Sequence, residues 1–284
     1  MRSFFEAVMN PSIPFVRNAL IGSVLAAFLF GILGSLVTVR RISGLAGAIS
    51  HTVLGGIGLA LFLAAKGAPT WVSPMLGALV FAMLAALLIS FVSLKAKQRE
   101  DTVINALWAI GMSLGIVFMA KTPGYVDPMS YLFGNILLVT SQDLFLLAAL
   151  DIVVLLLVAR YYRHIEAASF DEEFAATKGV PVTTVYLVLL LVIAIAIVLL
   201  QTFVGIVMVI AMLTLPAGTA GYFSRNLAGM MVNATLLSLV FSVGGLVVSW
   251  HFDLPAGAVI VLLSGAVFIA FSAGKMLAGR RVKS

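Results

Sequence analysis

The sequence contains no cysteine. That absence excludes disulfides, thiolate metal centres and cysteine nucleophiles together. Charge is scarce as well: Lys, Arg, Asp and Glu make up 10% of the 284 residues, against roughly 25% in soluble domains. No G-x-x-x-x-G-K-[ST] stretch occurs, so any ATP chemistry has to come from another chain. No H-E-x-x-H occurs either. Ser50 and His51 are adjacent, which sets them about 100° apart on a helix, so they do not make a nucleophile–base pair. The N-terminus, Met1-Arg2-Ser3-Phe4-Phe5-Glu6, lacks the ordered regions of a cleaved signal peptide, and the first helix is expected to stay as an anchor. There is no low-complexity tract, long linker or sequence repeat, which predicts a single membrane domain over 1–284.

What is present is apolar: 62% of the residues are hydrophobic. Such a chain is expected to be an all-α polytopic membrane protein, because a helix satisfies its own backbone in lipid. Runs of about 20 apolar residues predict about nine transmembrane helices, over about 18–39, 43–65, 71–94, 102–121, 142–160, 182–201, 203–221, 228–250 and 255–275. Residues 1–14, with Pro11 and Pro14, predict a helix lying at the interface. Residues 122–141 hold Pro123, Gly124, Pro128 and the apolar run Tyr131-Leu132-Phe133-Gly134-Asn135-Ile136-Leu137. That run is too short to cross, and predicts a short helix or re-entrant segment.

The net charge is +6, but the cations sit in short loops between apolar runs, so no nucleic-acid partner is expected. Sorted by alternate helix ends, 13 Lys and Arg fall on one side (Arg40, Arg41, Lys95, Lys97, Arg99, Arg160, Arg163, Lys178, Arg225, Lys275, Arg280, Arg281, Lys283). The other side has 4: Arg2, Arg17, Lys66 and Lys121. The positive-inside rule then places the first set in the cytoplasm. A multi-pass protein of the cell (inner) membrane follows, with its N-terminus outside, its C-terminus cytoplasmic and the 122–141 segment external.

Two polar residues interrupt the spans. His51 lies within Ala46-Gly47-Ala48-Ile49-Ser50-His51-Thr52, about eight residues from the expected cytoplasmic end, or roughly 12 Å deep. Neutral imidazole suits zinc, manganese or iron, which makes His51 the candidate metal ligand and, with Ser50 beside it, a candidate lining of a cation path. The alternative is a histidine hydrogen-bonded to a neighbouring helix. Asp151 interrupts a leucine-rich span at similar depth; an acid there is expensive and reads as functional, or as one held protonated or paired with a Ser, Thr or Arg on a neighbouring helix. Gly47, Gly55, Gly56 and Gly58 predict close helix approach. Asp101 reads as an N-cap, and His164, Glu166, His251 and Asp253 as solvated faces or turns.

One polar island stands apart: Phe170-Asp171-Glu172-Glu173-Phe174-Ala175-Ala176-Thr177-Lys178-Gly179-Val180-Pro181. Its E-x-A-x-x-x-G reading (Glu173, Ala175, Gly179) resembles the coupling segment of ABC-type permeases, a short cytoplasmic helix that docks into a groove on a separate ATPase. The coupling segment would lie within about 161–181. Asp171, Glu172, Glu173, Ala175 and Gly179 are its candidate residues. The wider pattern resembles the zinc/manganese/iron permeases of the ABC-3 family. It runs through Gly44–His51, Glu100–Met112, Tyr131–Leu137, Phe170–Ala175 and Leu254-Pro255-Ala256-Gly257-Ala258.

The resemblance implies the fold of the vitamin B12 and metal importers and a membrane-spanning permease subunit rather than an enzyme. It implies an ATPase subunit, an extracytoplasmic metal-binding protein and a second permease copy, with a homodimer as the expected form. No cofactor would be bound by this chain; ATP would sit on the partner and a divalent metal would be the cargo. Many members carry an acid four residues before the histidine. Here that position is Gly47, so a path role for this helix rests on His51. A secondary transporter or channel for a cation is the alternative, but it leaves the polar island without a purpose.

Overall fold

The computed structural model describes residues 4–10, 12–95, 100–124, 127–134 and 139–281. Pro11, Arg2, Lys97, Arg99, Lys283 and the 135–137 end of the apolar outer run lie outside the described residues, as do the side chains of Glu100 and Asp101. The described chain folds into α1 (Phe4–Met9), α2 (Pro14–Val39), α3 (Ser43–Ala65), α4 (Pro74–Lys95), α5 (Glu100–Lys121), α6 (Pro128–Phe133), α7 (Ser141–Phe170), α8 (Glu172–Thr177), α9 (Val182–Val204), α10 (Ile206–Gly221), α11 (Leu227–Phe252) and α12 (Ala256–Arg281).

Eight of these helices are long and apolar enough to cross a membrane. Proline sets several starts: Pro14, Pro74 and Pro128 each begin a helix, where the missing N–H is not needed. The ninth expected span, 203–221, is the 16-residue α10. At 1.5 Å per residue it reaches about 24 Å, short of a hydrocarbon core of about 30 Å. Gly205 separates it from α9, with φ +80°, a conformation that costs little only for glycine. Helix α7 departs more from expectation. Its polar end, Tyr162–Phe170, continues as helix past a kink at Tyr161 (φ −114°, ψ 15°), so only the stretch after Phe170 forms a separate island.

The chain divides into two compact units. One holds α1, α2, α7 as far as Ile152, and α10 to α12. Its most buried helix is α2, which packs along α11. Gly31 there lies directly against Thr235, and Gly34 against the Leu213 carbonyl. The other unit holds α3 to α6, the rest of α7, α8 and α9. Its centre is α3, sandwiched between α4 and α5. The expected glycine role is realised there: Gly55 and Gly58 face the carbonyls of Gly111 and Gly115 on α5, and Gly56 faces that of Gly77 on α4. Backbone meets backbone along both seams, which a side chain on either partner would prevent. The outward faces of α5, α7 and α12 are apolar, with Ile110, Leu156, Leu262 and Ile269 exposed, as suits contact with a lipid bilayer.

Candidate functional site

His51 sits two turns into α3. Its side chain is only 8% exposed, and Nδ1 is buried with no hydrogen-bond partner among the described residues. The indole of Trp108, from α5, stacks on the imidazole with ring centroids 4.3 Å apart and planes 18° from parallel. Trp108 itself is 37% exposed. The indole therefore lies between His51 and the open face of α5.

Gly47, one turn before His51, makes room for this arrangement. A Cβ at that position would fall 2.9 Å from Trp108 Cζ3. Ser50 and Thr52 flank the histidine, and both turn their hydroxyls to their own helix. Ser50 Oγ donates to the Ala46 carbonyl at 2.8 Å. Thr52 Oγ1 donates to the Ala48 carbonyl at 2.7 Å and lies 3.1 Å from that of Leu107 on α5. Among the described residues, no group of three or more His, Asp and Glu is gathered in a way that could hold a metal ion. What His51 itself offers is an imidazole nitrogen, Nδ1, without a partner among the described residues, under an aromatic face.

Asp151 belongs to the other unit. It is buried, and neither carboxyl oxygen has a hydrogen-bond partner among the described residues. The pairing with Ser, Thr or Arg that would have made it a packing residue is not found there. His251 and Asp253 are exposed at the end of α11, with Asp253 in the left-handed region (φ 53°), as a turn requires. Glu166 accepts from the Tyr162 hydroxyl at 2.7 Å within α7.

The polar island is a built element. Asp171 caps α8, accepting from the Phe174 N–H at 2.9 Å. At the other end the Val180 N–H reaches the Ala175 carbonyl and the Gly179 N–H reaches that of Ala176, each at 3.0 Å, with Gly179 at φ +80°. That pair of bonds is a Schellman stop, and it needs a residue that tolerates the left-handed region. Ala175 is buried, while Glu172, Glu173, Phe170 and Phe174 are exposed. Phe174 and two carboxylates thus project from one capped turn, with Phe170 exposed just before it at the end of α7. Arg40, just after α2, reaches back to it: its Nη2 lies 2.5 Å from Glu172 Oε1.

A small cavity of about 80 Å³ opens between α3, α4, α6 and α9, lined by Ile57, Met75, Tyr131, Gln201 and Thr202. Gln201 is buried, and neither end of its amide has a partner among the described residues. Burial raises the Tyr131 phenol above its usual range.

Comparison with known sequences decides what these parts belong to. A family model described as the ABC 3 transport family matches residues 12–275. The chain belongs to that family. The manganese transport system membrane protein MntC of Listeria monocytogenes is 35% identical over 94% of this chain and 93% of its own length. An uncharacterized membrane protein of Synechocystis is 38% identical over 90% of this chain and 89% of its own. Among solved structures, PsaBC from Streptococcus pneumoniae in complex with Fab superposes with a TM-score of 0.82 at 29% identity, covering 94% of each chain. The resemblance read from the residues therefore holds. This is a multi-pass permease of the metal ABC transporter family and not an enzyme; ATP is hydrolysed by a separate subunit. Within this permease, sequence reading missed Trp108 as the cover of His51, and Arg40 as the partner of Glu172. Trp108 was visible only as part of an apolar run, and Arg40 only as a cation to be counted.

Proposed function

We propose that this permease imports a divalent metal cation (zinc, manganese or iron), with the cargo passing beside His51. The permease works with a cytoplasmic ATPase that receives α8 and an external protein that delivers the metal. A second permease copy, as a homodimer, completes the path. The N-terminus is outside and the C-terminus in the cytoplasm. This chain holds no cofactor; the metal is cargo and ATP belongs to the partner.

The observation that carries the path is the buried Nδ1 of His51, without a partner among the described residues, beneath an indole that is itself partly exposed. A packing histidine would have its polar atoms engaged, because an unmet buried group costs about 1–3 kcal/mol. A residue that meets a passing cation keeps a donor free. Asp151, whose carboxyl oxygens have no partner among the described residues, is a candidate on the same reasoning, independently of His51. The Listeria relative, named for manganese transport, supports a divalent cargo.

The test is uptake of zinc, manganese and iron into proteoliposomes containing the whole transporter, beside the melting temperature of each variant. His51→Leu is expected to abolish most uptake while leaving the melting temperature near wild type. Asp151→Asn keeps size and hydrogen bonding, so a fall in uptake isolates the carboxylate. Full uptake in both variants would remove both residues from the path. Uptake that ignores ATP would return the secondary-transporter reading.

A further inference from the structure

Arg40 is a guanidinium removed from water. Its side chain is 3% exposed, yet it has one ionic partner, Glu172, whose side chain is 62% exposed. The guanidinium carbon also sits 5.1 Å from the ring centroid of Tyr186 on α9. Its Nη1 is buried with no hydrogen-bond partner among the described residues. A buried cation is costly unless paired, so the fold has already met most of the desolvation cost on the Arg40 side. On the Glu172 side water still screens the attraction.

We propose that Arg40 is a positioning residue that fastens the docking helix α8 to helix α3, through an ion pair with Glu172 that tightens when the ATPase covers it. The proposal rests on the reading that α8 docks on the ATPase. Covering Glu172 lowers the local dielectric, and the attraction to an already desolvated guanidinium rises as the dielectric falls. Without Arg40, covering Glu172 would bury a carboxylate with no counter-charge. Docking and fastening therefore strengthen one another, and the coupling has to be reciprocal.

The chain itself carries the load onward. Arg40 is three residues before Ser43, where α3 begins. Between them Arg41 is held in the left-handed region at φ 58°, in a tight turn. A pull on the Arg40 side chain reaches α3 within one turn, and His51 lies about two turns further along. The guanidinium also lies over the Tyr186 ring, a contact of a planar cation that a lysine would not reproduce.

The experiment uses the reconstituted transporter with its ATPase subunit. Arg40→Gln, Glu172→Gln and the double variant are compared for ATPase affinity and for metal ions moved per ATP hydrolysed. Each single change is expected to weaken ATPase association about tenfold, equivalent to about 1.4 kcal/mol, and to lower the transport-to-hydrolysis ratio. The double variant is expected to lose no more than the worse single and less than the two summed, because it leaves no unpaired carboxylate to bury. Arg40→Lys should recover affinity but only part of the coupling ratio. Additive effects, or a wild-type ratio in Glu172→Gln, would overturn the proposal. Should Arg40→Gln lower the melting temperature, the exposed Glu172→Gln alone carries the test. Glu173→Arg and Phe174→Ala separate the underlying reading. If neither changes ATPase affinity, α8 is not the docking element. If both do while Glu172→Gln does not, α8 docks and the Arg40 link alone fails.

Discussion

The same substitution at two glycines of α3 should have opposite consequences. Gly47→Ala places a methyl 2.9 Å from Trp108 Cζ3 and 3.5 Å from Cε3 and Cη2. Ordinary carbon contacts are about 3.5–4.0 Å, so the indole has to retreat by about 0.6 Å or more. It is a side chain with an exposed edge, and it can. The overpacking cost is then at the low end of about 1–3 kcal/mol, and replacing a helical glycine by alanine returns about 1 kcal/mol. The two nearly cancel. Gly56→Ala drives its methyl into the Gly77 carbonyl and to 2.9 Å from Phe81 Cβ. Backbone cannot rotate away, so the α3–α4 seam has to open. That cost exceeds the helical gain by about 2 kcal/mol or more. Melting temperatures of the detergent-purified variants, measured beside metal uptake in vesicles, separate the cases. Gly47→Ala should melt like wild type with altered uptake, since it moves the ring over His51. Gly56→Ala should melt well below wild type. Equal melting of the two variants would refute the account of the seams, and unchanged uptake by Gly47→Ala would refute the role of the indole position.

Three further outcomes are expected. Trp108→Ala should uncover His51, so that diethylpyrocarbonate modifies this imidazole several-fold faster by peptide mass spectrometry, with discrimination between zinc and manganese reduced; unchanged modification would mean the indole is not its cover. Gly179→Ala should strain the α8 stop by about 1–2 kcal/mol, with no steric clash because nothing lies within 4 Å. Hydrogen exchange at Lys178 to Val180 should quicken while the global melting temperature holds. Thr177→Cys is exposed in a chain without other cysteines, and should react with an impermeant maleimide in inside-out vesicles but not in intact cells.

The helices and their ends were legible because lipid-spanning runs, prolines and glycines act locally. Gly179 was legible as the glycine that closes the polar island, whereas Gly205 fell inside the expected 203–221 span and the break it makes after α9 was not anticipated. The partners were not legible. Helices that are apolar all the way round carry no facial pattern, so nothing in α3 indicates that Gly56 meets Gly77 or that Gly55 meets Gly111. The same limit hid the stacking of Trp108 on His51, which joins residues 57 positions apart on different helices. The continuation of α7 beyond Tyr161 was not legible because polar composition marks the end of the apolar layer and not the end of the helix, and Arg163, His164 and Glu166 stay helical. The role of Arg40 was hidden by its usefulness as a cation in the count of sides.

The stack over His51 also equips the protein with an internal optical reporter. The chain has three tryptophans. Trp71 is largely exposed and Trp250 packs edge-on against Phe4, while Trp108 lies flat on an imidazole. Replacing Trp71 and Trp250 with phenylalanine leaves one tryptophan, in face-to-face contact with the residue proposed to meet the cargo. Its emission maximum reads the polarity of its exposed edge, and its lifetime reads quenching by the ring beneath it. Each turnover that lifts the indole should therefore appear as light, in unlabelled protein and in real time.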